Sequence, residues 1–162
     1  MSVGNDLDAE RAWKLMKEIR ICMLVTHDGE LLRARPMEAW PRENENAIYF
    51  LTEAESPKHQ QIQADSDVCL AFEDHRSGKF LSVSGRARVL DDRPLIHALW
   101  KSEDKMFWSG PDDPAVRALE ITPSEAQLWE RPGGLVGAIG FTAARAVGAK
   151  PDLGDTRKVD LH

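Results

Sequence analysis

Apolar and polar positions along this chain switch between two periods, and the switches mark its elements. Between Asp6 and Ile19 the apolar residues Leu7, Ala12, Leu15, Met16 and Ile19 recur at helical spacing among charges. This predicts an amphipathic first helix, capped by Asp6 or Asp8. Ile21 to Thr26 is a continuous run of strand formers, followed by Asp28-Gly29, whose residues tolerate the positive φ of a tight hairpin turn. A second strand is expected over Glu30 to Trp40, a polar turn over Pro41 to Asn46, and a third strand over Ala47 to Thr52. Ser56 to Ala64 reads as a short helix, with Ser56 as N-cap and Pro57 at the first helical position.

Val68 to Phe72 is a fourth strand, Asp74 to Lys79 a polar turn, and Phe80 to Leu90 a fifth strand. Gly85 inside that strand signals a bulge or a close backbone approach. Asp91 to Lys101 reads as a helix with Asp91 or Asp92 near its cap, and Ser102 to Pro114 as a loop carrying Met106-Phe107-Trp108. Val116 to Ile121 and Glu125 to Trp129 are two short strands separated at Pro123. Gly133 to Ala149 suggests a small-residue helix beginning near Val136, and Lys150 to His162 a polar tail with a mobile end. There is no internal repeat. Many antiparallel strands with short helices between them predict one mainly β domain, a small barrel or sandwich with α decoration.

Composition narrows the partners. The chain has 162 residues, a net charge of −6, and 30% charged residues. An acidic balance disfavours broad nucleic-acid binding, which needs phosphates neutralised by Lys and Arg. No apolar run approaches the roughly 20 residues that span a bilayer, and Met1 to Asp8 lacks the apolar core of a signal peptide. A cytoplasmic protein is the expectation. Cys22 and Cys69 lie singly in apolar runs, and His27, His59, His75, His97 and His162 are scattered, so no metal site is expected.

The chemistry concentrates between Arg33 and Lys58. Side chains alternate faces along a strand, so Leu31, Arg33, Arg35 and Met37 share one side and Leu32, Ala34 and Pro36 the other. Two cations on one face need solvent, carboxylates or a bound anion. Pro36 cannot donate to a ladder, which places the segment at an edge or a bulge. The helix opening at Ser56 carries Lys58 and His59 in its first turn, where acids are favoured. It lacks the Glu or Gln that would complete a capping box. A bound anion would turn that unfavourable placement into a favourable one. Both cationic segments flank the strand Ala47 to Thr52, where Phe50 and Thr52 share a face, an apolar wall beside a hydroxyl.

Arg33-x-Arg35-Pro36-Met37, Tyr49-Phe50-Leu51-Thr52, Ser56-x-Lys58, Val68-Cys69-Leu70-Ala71-Phe72 and Phe80-Leu81-Ser82-Val83-Ser84-Gly85-Arg86-Ala87 together resemble the FMN-binding split-barrel superfamily. Within it the chain is most similar to the general stress protein branch, related to pyridoxamine 5′-phosphate oxidase, from about Trp13 to Trp129. The resemblance implies a six-stranded antiparallel split barrel and a homodimer with FMN at its interface. It implies that Arg35 and Lys58 grip the phosphate, with Ser56 donating its hydroxyl and Arg33 as a weaker candidate. Pro36 and Met37 would flank the flavin ring, and Phe50, Leu51 and Thr52 would line the ring edge and ribityl chain. Trp108 or Trp129 would cover the ring, with the partner subunit closing the pocket.

The segment Trp129-Glu130-Arg131-Pro132-Gly133-Gly134 does not reproduce the Arg/His motif with which the oxidase branch holds its substrate phosphate, so pyridoxamine phosphate oxidation is not expected. Relatives that use the deazaflavin F420 share the phosphate grip, and F420 stays open as the alternative cofactor. No general acid or base stands out. Three readings follow: a flavin-dependent oxidoreductase acting on a small-molecule redox substrate, a non-catalytic flavin carrier or redox sensor, and a cofactor-free interaction protein.

Overall fold

Inward-facing strand positions are aliphatic or aromatic almost without exception, and they curl one antiparallel sheet around a single interior. The computed structural model describes residues 3–131 and 155–161. Helix α1 (Val3–Ile19) leads into β1 (Ile21–Asp28) and β2 (Leu31–Glu38), then β3 (Trp40–Arg42) and β4 (Ala47–Glu53). Helix α2 (Pro57–Ala64) precedes β5 (Asp67–Asp74) and β6 (Lys79–Leu90). Helix α3 (Arg93–Leu99), β7 (Val116–Glu130) and β8 (Asp155–Asp160) complete the described elements.

The strand order is β2-β1-β5-β6-β7-β4-β3, with β8 paired to β7. Its ends, β2 and β3, do not pair with each other, so the barrel is split. The six long strands from β2 to β4 in this order are the six-stranded frame expected from the resemblance; β3 and β8 are additions to it. The hairpin between β1 and β2 turns at Gly29, whose φ of 62° suits glycine. Pro36 sits on β2, an edge strand, where its missing N–H breaks no ladder.

Phe50, Phe72, Leu24, Leu70, Leu81, Leu119 and Ile121 fill the interior, closed at one end by Leu15 and Met16 of α1. A second apolar cluster forms outside β4 and β7, where Ile96 and Leu99 of α3 cover Ala47, Tyr49, Val116 and Ala118. Strand β4 is therefore buried on both faces, which explains its unbroken apolar sequence. Helix α3 is shorter than predicted: Asp92 caps it, accepting from the Leu95 amide at 3.0 Å, and Trp100 already has extended backbone.

Three expectations are corrected. Pro41 and Arg42 lie in β3, not in a turn; the turn is the 3-10 segment Glu43–Glu45 that follows. Pro123 does not separate two strands: β7 is continuous and absorbs the proline in a bulge. Ser84 pairs with Glu125 but Gly85 pairs with Pro123, leaving Ser124 as the extra residue. Nor are residues 155–161 of the expected tail loose. Residues 155–160 extend the sheet beside β7, Val159 and Leu161 enter the core, and Arg157 bonds to Asp8 and Glu130 at 2.6 and 2.9 Å. The small-residue helix expected over 133–149 lies outside the described residues.

Gly85 is required by that bulge. A Cβ there would stand 2.5 Å from the Thr122 carbonyl oxygen and 3.0 Å from the Pro123 Cα. Backbone on the opposing strand cannot step aside as a side chain can. Gly85→Ala is expected to cost about 2–3 kcal/mol of stability in urea denaturation; an unchanged midpoint would mean that the two strands do not approach so closely.

Candidate functional site

Helix α2 packs across β1 and β6, anchored by the buried Ile62. Its first turn is thereby brought beside β2 and the end of β4. Arg35 leaves the inner face of β2 and meets α2 directly: its Nη2 donates to Gln61 Oε1 at 2.7 Å. Its Nη1 donates to Thr26 Oγ1 at 2.7 Å and to the Leu24 carbonyl at 3.3 Å. Thr26 Oγ1 in turn donates to Gln61 Oε1 at 2.7 Å. All three acceptors are neutral.

Lys58 stands one turn before Gln61 on the same helix. Its ammonium is held below the ordinary lysine range, first by burial and then by the charge of Arg35. Burial likewise lowers the Arg35 guanidinium. Among the described residues neither cation has a carboxylate within 4.0 Å; Glu53 and Asp28 act on them from farther away. Two positive groups from separate segments thus converge without an acid between them.

Hydroxyls complete the arrangement. Ser56 occupies the N-cap position of α2 in extended conformation, but its side chain caps nothing. This departs from the expected cap. Ser56 Oγ and Thr52 Oγ1 are buried with no hydrogen-bond partner among the described residues. A buried unsatisfied hydroxyl costs about 1–3 kcal/mol, so two of them near two cations without acid partners mark a candidate binding site. An anionic oxygen cluster fits it: oxygens would accept from the side chains of Arg35, Lys58 and Ser56.

From Lys58 a cavity of about 480 Å³ opens, lined by Pro36, Met37, Leu51, Thr52, Trp40 and Trp108 among others. Leu51 points outward from β4 while Phe50 points inward. Trp108 stacks obliquely between Trp100 and Phe107, at centroid distances of 6.3 and 5.7 Å. The cavity therefore has an apolar, aromatic wall at one end and, at the other, a cationic end formed by Lys58, with Glu38, Glu53 and Asp104 also on its lining. Glu38 on its rim is bound to Lys101, whose Nζ also lies 4.2 Å from the centre of the Trp40 ring. That contact fixes the start of the loop bearing Trp108.

Eight of the eleven candidates meet here: Arg35 and Ser56 at the cationic end, with Pro36, Met37, Leu51, Thr52, Lys58 and Trp108 along the cavity. Three stand elsewhere. Arg33 points to solvent and pairs with Asp28 at 3.0 Å. Phe50 is sealed in the core rather than forming a wall beside Thr52. Trp129 lies on β7 between Phe80 and Thr156, away from the cavity. Thr26 and Gln61 were not foreseen. The sign of Thr26 was a hydroxyl on the buried face of β1, in line with Cys22 and Leu24. That of Gln61 was its place one turn after Lys58.

A second cavity, of about 740 Å³, runs along the outer sheet face past Val25, Leu32, Cys69 and Ser84. It holds no comparable gathering of unpaired groups. Cys22 is buried, its thiol pushed up to about 12 by desolvation, and no metal-binding cluster occurs among the described residues. None of the described helices is long and apolar enough to cross a membrane.

Comparison with known proteins places this geometry in a family. Residues 8–152 match the model described as pyridoxamine 5′-phosphate oxidase like. Protein bli-3 of Neurospora crassa is 24% identical over 159 residues, covering 91% of this chain and 74% of that protein. General stress protein 26 of Bacillus subtilis is 28% identical over 88 residues, covering 50% of this chain and 60% of that protein. Among solved structures, a general stress FMN/FAD binding protein from Xanthomonas citri superposes with a TM-score of 0.69 at 27% identity, covering 78% of this chain and 91% of that one. With nine-tenths of its length matched, split barrel and cationic helix start included, the chain belongs to the pyridoxamine 5′-phosphate oxidase-like family.

Proposed function

We propose that this chain is a stress-related flavoprotein that binds FMN, with the phosphate between Arg35 and Lys58. The observation that carries the reading is the pairing of two cations lacking acid partners with two buried, unsatisfied hydroxyls. The names of the Xanthomonas citri and Bacillus subtilis relatives support it. A phosphomonoester carries two charges near neutrality and a phosphodiester one. Two cations therefore favour FMN over F420, whose phosphate next to the ribityl chain is a diester. Pro36, Met37, Leu51 and Trp108 would hold the ring, and Thr52 a ribityl hydroxyl.

The flavin would supply hydride or electron transfer; the chain supplies binding, orientation and electrostatics. The titratable side chains lining the cavity are Glu38, Glu53, Asp104 and Lys58. A flavin-dependent oxidoreductase of small molecules is the favoured role, because the aromatic wall leaves the cavity open beside the ring position. A carrier or redox sensor would use the same pocket. Rapid reduction of the loaded protein by NADH or NADPH supports the enzyme; its absence supports the carrier.

The outer sheet face supports the homodimer. Ile21, Met23 and Leu32 are 53%, 39% and 65% exposed and stand on neighbouring strands, an apolar surface that a second copy would cover. Met23→Glu should convert a dimer to a monomer in sedimentation velocity. An unaltered dimer in that variant would locate the contact elsewhere.

Lys58→Ala and Arg35→Ala should each weaken FMN by roughly 1.5–3 kcal/mol, about 10- to 150-fold, while riboflavin binding hardly changes. Fluorescence quenching of flavin titrated into stripped protein measures both. Equal losses for FMN and riboflavin would refute the phosphate assignment.

The same site predicts a pH dependence. Burial and Arg35 hold Lys58 below its ordinary value of 10.5 in the free protein, and a bound dianion would raise it. Binding then takes up protons, so FMN affinity falls as pH rises toward the ordinary lysine value of 10.5. Lys58→Arg, which stays charged, should flatten that decline; an identical decline in the variant would assign it to another group.

A further inference from the structure

Three neutral acceptors orient Arg35, and Gln61 is the one supplied by α2. Gln61 Oε1 accepts from Arg35 Nη2 and from Thr26 Oγ1, both at 2.7 Å, and Thr26 Oγ1 also receives Arg35 Nη1. An arginine only donates, so the amide must turn its oxygen toward it. The guanidinium is thereby held at three points, counting the Leu24 carbonyl, with two of its five N–H groups left over. A glutamate at position 61 could make the same two contacts in the same shape. It would also cancel the charge that they aim.

We infer that Gln61 is a positioning residue that sets specificity for a phosphorylated ligand, aiming the Arg35 guanidinium from α2 while leaving its charge uncompensated. The inference rests on the flavin-phosphate reading of the site and deepens it. Elsewhere the chain favours carboxylates against its arginines: Arg11 and Arg157 meet Glu130, Arg88 meets Glu120, Arg33 meets Asp28. At Arg35 alone among these, neutral acceptors replace them. Helix α2 thus contributes twice to one anion, directly through Lys58 and indirectly through Gln61. Thr26 serves as the brace that keeps the amide from rotating.

The test titrates wild type, Q61E and the nearly isosteric Q61M with FMN and with riboflavin, read by flavin fluorescence quenching. Q61E should weaken FMN by about tenfold or more and leave riboflavin within about twofold. Q61M should weaken FMN severalfold, again without affecting riboflavin, because the charge survives but its aim is lost. Retained riboflavin binding demonstrates that each variant is folded. Equal losses for both ligands would make Gln61 a merely structural residue and overturn the assignment. So would an unchanged FMN affinity in Q61E while the wild type binds FMN. A wild type that binds neither ligand would instead overturn the flavin reading, and this assignment with it.

Discussion

Two like charges held close together, partly buried and without a carboxylate, are the constraint on which the rest of this structure turns. Arg35 and Lys58 repel, and burial adds to the cost by removing water from both. Neither has the acid that most arginines of this chain possess. Such an arrangement persists only because the barrel fixes the two segments independently, β2 through its backbone pairing with β1 and α2 through the buried Ile62. The free protein therefore carries an electrostatic penalty that a dianion would remove, and the buried hydroxyls of Ser56 and Thr52 add to the same imbalance.

The fold explains how the two segments meet. Pairing of β1 with β2 puts Arg35 opposite Leu24, and Thr26 two residues further along the same face. Burial of Ile62 pins α2 over that face, so that Gln61 reaches Thr26 and Arg35 together. On the other side, α3 seals the outer face of β4 and leaves only its end, near Leu51 and Thr52, facing the cavity. Lys101, bound to Glu38 and stacked on Trp40, then ties down the aromatic loop. Core packing, helix placement and pocket chemistry form one connected system.

Much of this was legible in residue order, and the exceptions have physical causes. Strand alternation placed Arg35 and Met37 on one face, and proline placed that strand at an edge. The unusual first turn of α2 gave Lys58. Alternation misled at Phe50, because β4 is covered on both faces and the inner one is the core. It could not separate Arg33 from Arg35, since that depends on Asp28, which the hairpin turn brings beside Arg33 alone. Pro123 read as a break because a single sequence does not reveal that Gly85 opposite makes room for a bulge. The edge role of residues 155–160 was invisible for a similar reason: a polar strand is stabilised by its partner, here through Arg157 and Glu130. Gln61 could be placed near Lys58 by helical spacing, but not against Arg35, which needs the tertiary fold.

Whether both cations serve a single phosphate is decided by a crystal structure of the protein soaked with FMN. Phosphate oxygens are expected within hydrogen-bonding distance of the Arg35 guanidinium, the Lys58 ammonium and the Ser56 hydroxyl, with the ring along Met37, Leu51 and Trp108. A flavin bound with its phosphate in solvent, or in the groove along the outer sheet face, would contradict it.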